Sequence, residues 1–83
     1  MVKSNITYRQ LKRILLDNGF LELRTKGKHL LFIHQEYGTK VILPHPSTKQ
    51  VPIVYVKAIG KMLDEYEIMP AEEFYQLVFE KGS

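Results

Sequence analysis

The first pattern of apolar positions along the chain is helical. The spacing of three or four residues between these positions puts their side chains on one face of an α-helix. Thr7 is a suitable N-cap before them, and Gly19 is suited to the left-handed conformation that ends many helices. The pattern predicts a first helix over about residues 8–18. The apolar positions are Tyr8, Leu11, Ile14 and Leu15.

Three strand-like patterns follow this helix. Residues 20–26 alternate between apolar and polar side chains, which is the period of a half-buried strand. Residues 29–34 are nearly all apolar and predict a more central strand, and residues 39–43 form a third β-prone run. Because the links between the runs are short enough for hairpins, the pattern predicts an antiparallel meander of three strands.

Propensity and periodicity disagree in the segment "VPIVYVKAIGKMLDEY". Its first residues are β-branched or aromatic and favour a strand, whereas the apolar positions keep the spacing of a helix. We predict a second helix over about residues 53–65, with a fourth strand as the alternative. Pro52 then lies near the first turn of this helix. Gly60 lies inside it and lowers helix stability by about 1 kcal/mol relative to alanine, which such a helix tolerates.

The last pattern predicts a short C-terminal helix over about residues 70–80. Phe74, Leu77 and Val78 are expected to pack inward, and early acidic residues complement the helix dipole. Together the elements predict an α+β fold in the order α-β-β-β-α, with this helix added and the helices packed on one face of the sheet. A chain of 83 residues has room for one domain, over residues 1–83 with its core at about 7–66.

Charge is unevenly distributed along the chain. Residues 1–40 carry a net charge of +5 and residues 41–83 a net charge of −2. A basic half suits a polyanion such as RNA, although a solvated face that keeps a small protein soluble is the commoner explanation. With no cysteine, no secretion signal and no run of about 20 apolar residues, a cytoplasmic protein without membrane contact is expected.

The predicted topology gathers basic side chains at one end of the sheet. The turn between the first two strands, the loop after the third strand and the N-termini of the first two helices should all meet there. Helix N-termini and cations bind phosphate, so this end is a candidate phosphate site. We call it the basic edge. Its predicted members are Arg9, Lys26, Lys28, His29 and His45.

The two histidines of the second strand are predicted to differ. A three-residue turn at 26–28 puts Leu23 opposite Leu31, and we expect His29 on the helix-packed face, partly buried at its rim. Two hypotheses remain open for His29. It is either a strand-end histidine hydrogen-bonded to backbone or a chemically active residue. His34 lies at the opposite end of the strand, so we expect a surface or turn histidine without function.

The residue types at the basic edge match those needed for RNA cleavage. Attack by the RNA's own 2′-hydroxyl needs a base, cations around the phosphoryl oxygens and an acid for the leaving oxygen. His29, the pair Lys26 and Lys28, and His45 fit these roles by type. The three histidines lack the spacing of zinc ligands and no adjacent carboxylates flank His29 or His45, so no metal or cofactor is expected. Base-specific readout is not predicted, because no aromatic side chains interleave on the strands.

Beyond these patterns, the order of motifs resembles a known family. The run "YRQLKRILLDNGFLELRTKGKHLLFIH", then "VILPHPSTKQVP" and a final "PAEEFYQLV" are similar to the HicA, or YcfA-like, toxins over about residues 7–78. The resemblance implies a double-stranded-RNA-binding-domain-like fold and an mRNA interferase held in check by a HicB antitoxin. The family's catalytic histidine follows Gly-Ser in the first hairpin. This implies that His29 is catalytic, with Gly27 matching the glycine and Lys28 replacing the usual serine.

These observations support three hypotheses. The first is the toxin of a type II toxin–antitoxin system, a metal-independent RNA endonuclease in which His29 is the catalytic acid or base. The partners are then mRNA and a HicB-like antitoxin, with no DNA contact expected for this chain alone. The residues expected to bind RNA or phosphate are Lys26, Gly27, Lys28, Arg9 and His45.

Two alternatives remain open. Because Lys28 departs from the family's serine, the chain could be a non-catalytic RNA-binding module of the same fold. It could also be chiefly an interaction protein. Residues 62–83 carry six acids against one lysine, and Phe74, Tyr75 and Phe79 could offer a docking surface. A small core completed by Phe74 beneath a solvated acidic face is the simpler explanation of that segment.

Overall fold

The chain forms an α+β fold in a computed structural model that describes residues 6–23, 29–44 and 50–79. The order α-β-β-β-α with a further C-terminal helix is confirmed. No helix within these ranges combines the length and the apolar character needed to cross a membrane. The elements are α1 (Tyr8–Asp17), β1 (Phe20–Leu23), β2 (His29–His34), β3 (Lys40–Pro44), α2 (Ile53–Glu65) and α3 (Ala71–Phe79).

The strands form an antiparallel sheet in the order β1-β2-β3, with β2 in the centre. Leu23 of β1 pairs with Leu31 of β2, so the predicted register is confirmed. At one end of the sheet His29 of β2 pairs with Pro44 of β3. β2 is the most apolar of the three strands in sequence, because the central strand has a neighbouring strand on each side.

Local side-chain contacts explain where α1 begins and ends. The Gln10 backbone N–H donates to the Thr7 hydroxyl oxygen over 3.1 Å, and the Thr7 N–H donates to the Gln10 side chain over 2.9 Å. Ile6 and Leu11 flank this capping box and are fully buried, which makes them a hydrophobic staple. After the helix, Gly19 has φ +93°, the left-handed conformation expected from the sequence.

One face of the sheet packs against the helices. Phe20, Phe32, Val41 and Leu43 point into the core from the three strands. Alternation sends the neighbouring side chains to the opposite face, which we call the open face. None of the open-face aliphatic residues belongs to the core cluster. They are Leu21, Leu23, Leu31, Ile33 and Ile42.

The expectation that His29 lies on the helix-packed face is wrong. His29 is exposed and shares the alternation of Leu31 and Ile33, so it belongs to the open face. The reason is packing. Burying Phe20 and Phe32, the largest apolar side chains of the sheet, removes the most apolar area from water. Because side chains alternate along β2, the face opposite Phe32 is the one on which His29 lies.

The segment in which propensity and periodicity disagreed is helical. The prediction of α2 at Ile53–Glu65 is confirmed, with Pro52 at the N-cap. Gly60 is more than a tolerated cost, because a Cβ there would lie 2.5 Å from Cε1 of Tyr75. The Tyr75 hydroxyl also donates to the carbonyl of Lys57 over 3.2 Å. The glycine therefore gives α3 the space to pack closely on α2.

In α3 the prediction for Leu77 is wrong. Phe74 and Val78 are fully buried as expected, but Leu77 is 42% exposed. The helix instead turns its Tyr75 and Phe79 flank inward, with centroid distances of 6.0 Å from Phe74 to Tyr75 and 5.9 Å from Tyr75 to Phe79. These aromatic residues pack against the core cluster, which supports the simpler explanation of the C-terminal segment.

Candidate functional site

His29 is the first residue of β2 and lies at the end of the sheet. Its register partner Pro44 is the last residue of β3. Four other members proposed for this site, Lys26, Gly27, Lys28 and His45, lie outside the described residues. Within the described ranges, no group of three or more histidine or acidic side chains is arranged to hold a metal ion.

The N-termini of α1 and α2 meet, as the topology predicted. The backbone N–H of Val51 donates to the carbonyl of Ile6 over 3.0 Å, and Thr7 forms an isolated antiparallel bridge with Gln50. This bridge ties together the residues that precede the two helices. Arg9 is exposed in the first turn of α1, so it adds a full positive charge beside the joined helix ends.

The two N-termini differ in how their backbone N–H groups are satisfied. In α1 the capping box of Thr7 and Gln10 occupies the first turn, whereas Pro52 at the N-cap of α2 makes no side-chain hydrogen bond. The first N–H groups of a helix have no intrahelical partner and carry a partial positive charge. The start of α2 is therefore the better anion-binding end of the pair.

A tyrosine pair at this place was missed by sequence reasoning. Burial raises the pKa of the Tyr8 phenol, and the proximity of Tyr55 raises that pKa further. The Tyr8 phenol is therefore protonated at neutral pH and offers an O–H donor. The available signal was the position of both tyrosines, each within the first turn of its helix.

His29 and the helix N-termini belong to different faces of the sheet. Leu30, the next residue of β2, packs against the core cluster on the helix side, whereas His29 follows the open-face alternation. The basic edge is therefore two-sided. A single ligand has to pass over the end of the sheet to contact both the helix ends and the imidazole.

His34 is buried, so the expectation of a surface histidine is wrong, whereas the alternative of a turn histidine agrees with its bonds to the turn after β2. The residue is 6% exposed. The backbone N–H groups of Glu36 and Tyr37 donate to Nδ1 over 3.1 and 3.2 Å. Nδ1 is thus the acceptor, and Nε2–H donates to the carbonyl of Asn18 over 3.0 Å. Both ring nitrogens are occupied by the chain itself.

Ring contacts hold His34 from its two sides. Phe20 meets the imidazole edge-on at 5.0 Å, and Tyr37 stacks on it at 4.9 Å. A Cβ at Gly19 would lie 2.9 Å from Nε2, so this glycine allows the chain to pass close to the ring. His34 therefore joins the end of α1 to the turn between β2 and β3.

Comparison with known proteins gives a family for this chain. A family model described as the HicA toxin of bacterial toxin–antitoxin systems matches residues 8–64. No match was found among curated proteins or among solved structures. The matched segment is more than half of the chain and includes Arg9, the three strands and His29. The chain therefore belongs to the HicA toxin family, the toxins of bacterial toxin–antitoxin systems.

Proposed function

We propose that this toxin is an mRNA interferase of a type II system, a metal-independent RNA endonuclease in which His29 is the general acid or base. The observation that carries the proposal is the position of His29. It is an exposed histidine at the end of a sheet, inside the family-matched segment. The joined N-termini of α1 and α2 lie on the helix side of that sheet.

The proposed reaction uses the RNA's own 2′-hydroxyl as nucleophile. A neutral histidine takes the proton of this hydroxyl, the 2′-oxygen attacks the phosphorus, and the bond to the 5′-oxygen breaks as that oxygen gains a proton. The products are a 2′,3′-cyclic phosphate and a 5′-hydroxyl. His29 supplies the base or the acid, and His45 is the candidate for the complementary role.

Cationic groups stabilise the negative charge on the phosphoryl oxygens in this scheme. Arg9 and the N-terminus of α2 lie on the helix side of the sheet and are proposed to hold neighbouring phosphates of the same RNA strand. Lys26 and Lys28 are proposed to supply this positive charge at the scissile phosphate, and Gly27 is proposed to belong to the same phosphate-binding segment. A HicB-like antitoxin is the proposed protein partner, and the cytoplasm, where mRNA is translated, is the proposed location.

The test is cleavage of a purified transcript in excess EDTA. The wild type should cut and leave 2′,3′-cyclic or 3′-phosphate ends, and His29→Ala should lower the rate by about 10²–10⁴-fold. Gln35→Ala is the matched control, because Gln35 is exposed just beyond the other end of β2. Full activity of His29→Ala, or activity that EDTA abolishes, would contradict the proposal.

The second candidate is an RNA-binding module without catalysis, and the observation that favours it is Lys28 in place of the family's usual serine. Phosphate contacts then give salt-sensitive binding that persists in His29→Ala. Lys28→Ser separates the two candidates. If the lysine blocks catalysis, this variant gains cleavage over a silent wild type, whereas an active wild type supports the endonuclease.

A further inference from the structure

Among the residues that the structure describes, no further strand pairs with β3 on the side away from β2, and β3 turns the backbone groups of two residues to that side. The His34 N–H donates to the Thr39 carbonyl over 2.9 Å, so this pair is hydrogen-bonded across the two strands. Antiparallel pairs alternate between hydrogen-bonded and non-hydrogen-bonded types. Given the register of β2 and β3, the N–H and C=O groups of Lys40 and Ile42 point away from β2.

An apolar groove runs beside this edge. Its volume is about 130 Å³, and four consecutive residues of β3, 40–43, form one side of it. Helix α2 forms the other side. β3 therefore has outward-pointing backbone groups along its edge and an apolar groove directly beside them. The groove residues of α2 are Tyr55, Ala58, Ile59 and Met62.

The open face continues the apolar surface around the same edge. Ile42 is 58% exposed. It pairs with Leu31, which in turn pairs with Leu23, so the three side chains form a row across the sheet. A strand added beside β3 would place alternate side chains against the groove and against this row.

The opposite edge strand of the sheet, β1, carries an ion pair with the neighbouring helix. Helix α1 packs beside β1, and Lys12 Nζ lies 2.7 Å from Oε1 of Glu22. Charged side chains on an edge strand prevent further pairing. On β3 the comparable features are at the ends only, Lys40 at one and Pro44, which has no N–H, at the other. Between them, the outward N–H and C=O groups of Ile42 can form hydrogen bonds with an added strand.

We propose that β3 is a strand-addition site for an extended segment of a partner protein, with apolar side chains on both faces and a carboxylate opposite Lys40. Strand addition uses main-chain hydrogen bonds for affinity and side-chain pockets for specificity. The charge of the partner follows from the groove lining, in which Lys40 is the charged member and no acidic residue takes part.

A second copy of this chain fits the edge poorly. Symmetric pairing of β3 with itself about Ile42 would put Lys40 opposite Pro44, where the missing N–H removes a ladder hydrogen bond at each end. No carboxylate would then face Lys40, and each copy carries a net charge of +3. The charge therefore favours a different, acidic partner.

The probes are two synthetic peptides of about six residues that carry valine or isoleucine on both faces, apart from one variable position. One peptide carries a glutamate and its twin a lysine at the same place. Titrated into the ¹⁵N-labelled full chain, the glutamate peptide should shift amide signals of β3 and α2 and slow hydrogen exchange at Ile42. It should bind several-fold more tightly than its twin, and Lys40→Glu should invert this preference.

Two proline variants test the backbone contact. Ile42→Pro removes an N–H that points away from β2, so the strand pairing is kept while peptide affinity falls about fivefold or more. Glu22→Pro is the matched control, because the bond from Gln35 N–H to the Gly19 carbonyl sets a register in which Glu22 N–H points outward from β1. This control should bind the peptide as the wild type does.

Several outcomes would overturn the proposal. They are an absence of shifts with either peptide at millimolar concentration, equal affinity for the two peptides, and binding that Ile42→Pro leaves unchanged. A dimer in sedimentation velocity that the peptide dissociates would identify a second copy as the occupant instead. None of these measurements needs ribonuclease activity, so strand addition and RNA cleavage can fail separately.

Discussion

The two histidines of β2 stand in opposite environments although they are only five positions apart in the sequence. His29, at the start of the strand, is exposed on the open face at the end of the sheet. His34, at the other end, is buried under Tyr37 and bonded through both ring nitrogens. The same side chain thus serves two different purposes in one strand.

The difference shows what chemistry requires of a histidine. Proton transfer needs a ring nitrogen within reach of the substrate, and His34 has both of its nitrogens directed at its own backbone. Its three hydrogen bonds instead close the turn after β2 onto the end of α1. An exposed histidine such as His29 contributes little to packing, so substitutions should separate stability from activity between the two positions.

The largest loss of stability is expected for His34→Ala. The substitution leaves the N–H groups of Glu36 and Tyr37 and the carbonyl of Asn18 without their partner, and it opens a cavity beside Phe20. The free energy of unfolding should fall by about 2–4 kcal/mol, measured by urea denaturation. A loss below about 1 kcal/mol would show that the buried ring is not a structural centre.

Gly19→Ala should have the next largest effect, with Gly38→Ala as its matched control. Both glycines have positive φ, +93° and +71°, so each alanine costs about 1 kcal/mol of backbone strain. At Gly19 the new Cβ would also lie 2.9 Å from Nε2 of His34, whereas nothing lies within 4 Å at Gly38. Gly19→Ala should therefore cost roughly 1 kcal/mol more. Equal losses of unfolding free energy in the two variants would show that the contact with His34 does not contribute.

Tyr37→Ala is expected to have a smaller effect. Tyr37 is 52% exposed as a residue, and its ring stacks on His34 and lies 5.7 Å from the ring of Tyr66 between centroids. Losing this contact should lower the free energy of unfolding by about 0.5–1.5 kcal/mol. Tyr37→Phe keeps the ring and should be close to neutral in the same urea titration. A large loss in the phenylalanine variant would mean that the hydroxyl, not the ring, is important.

Local patterns were sufficient for most of the secondary structure. The spacing of apolar residues and the Thr7 cap predicted α1, and the helical period outweighed β-propensity in α2 because burial of Val56 and Leu63 needs that period. The face of the sheet could not be predicted in this way. Alternation defines two faces but does not say which one the helices cover, and here the packing of Phe20 and Phe32 decides it.

The sequence was sufficient to predict which elements meet at the candidate site, but not which side chains are in contact or buried there. The edge where His29 meets the end of β3, and the meeting of the helix N-termini, follow from a meander between two helices. The Tyr8 and Tyr55 pair and the burial of His34 depend on contacts between distant parts of the chain. Such contacts are set by tertiary packing, which single-sequence patterns do not contain.

The smallest change in stability is expected for His29→Ala. Substitutions at exposed positions usually change the free energy of unfolding by about 0.5 kcal/mol or less, and His29 is exposed at the end of its strand. Urea denaturation should therefore place this variant beside the wild type, while His34→Ala unfolds earlier. The folded fraction of His34→Ala should keep its cleavage rate, which is the reverse of the result expected for His29→Ala. A loss of stability at His29 equal to that at His34 would make both histidines structural, and the catalytic assignment would then lose its physical basis.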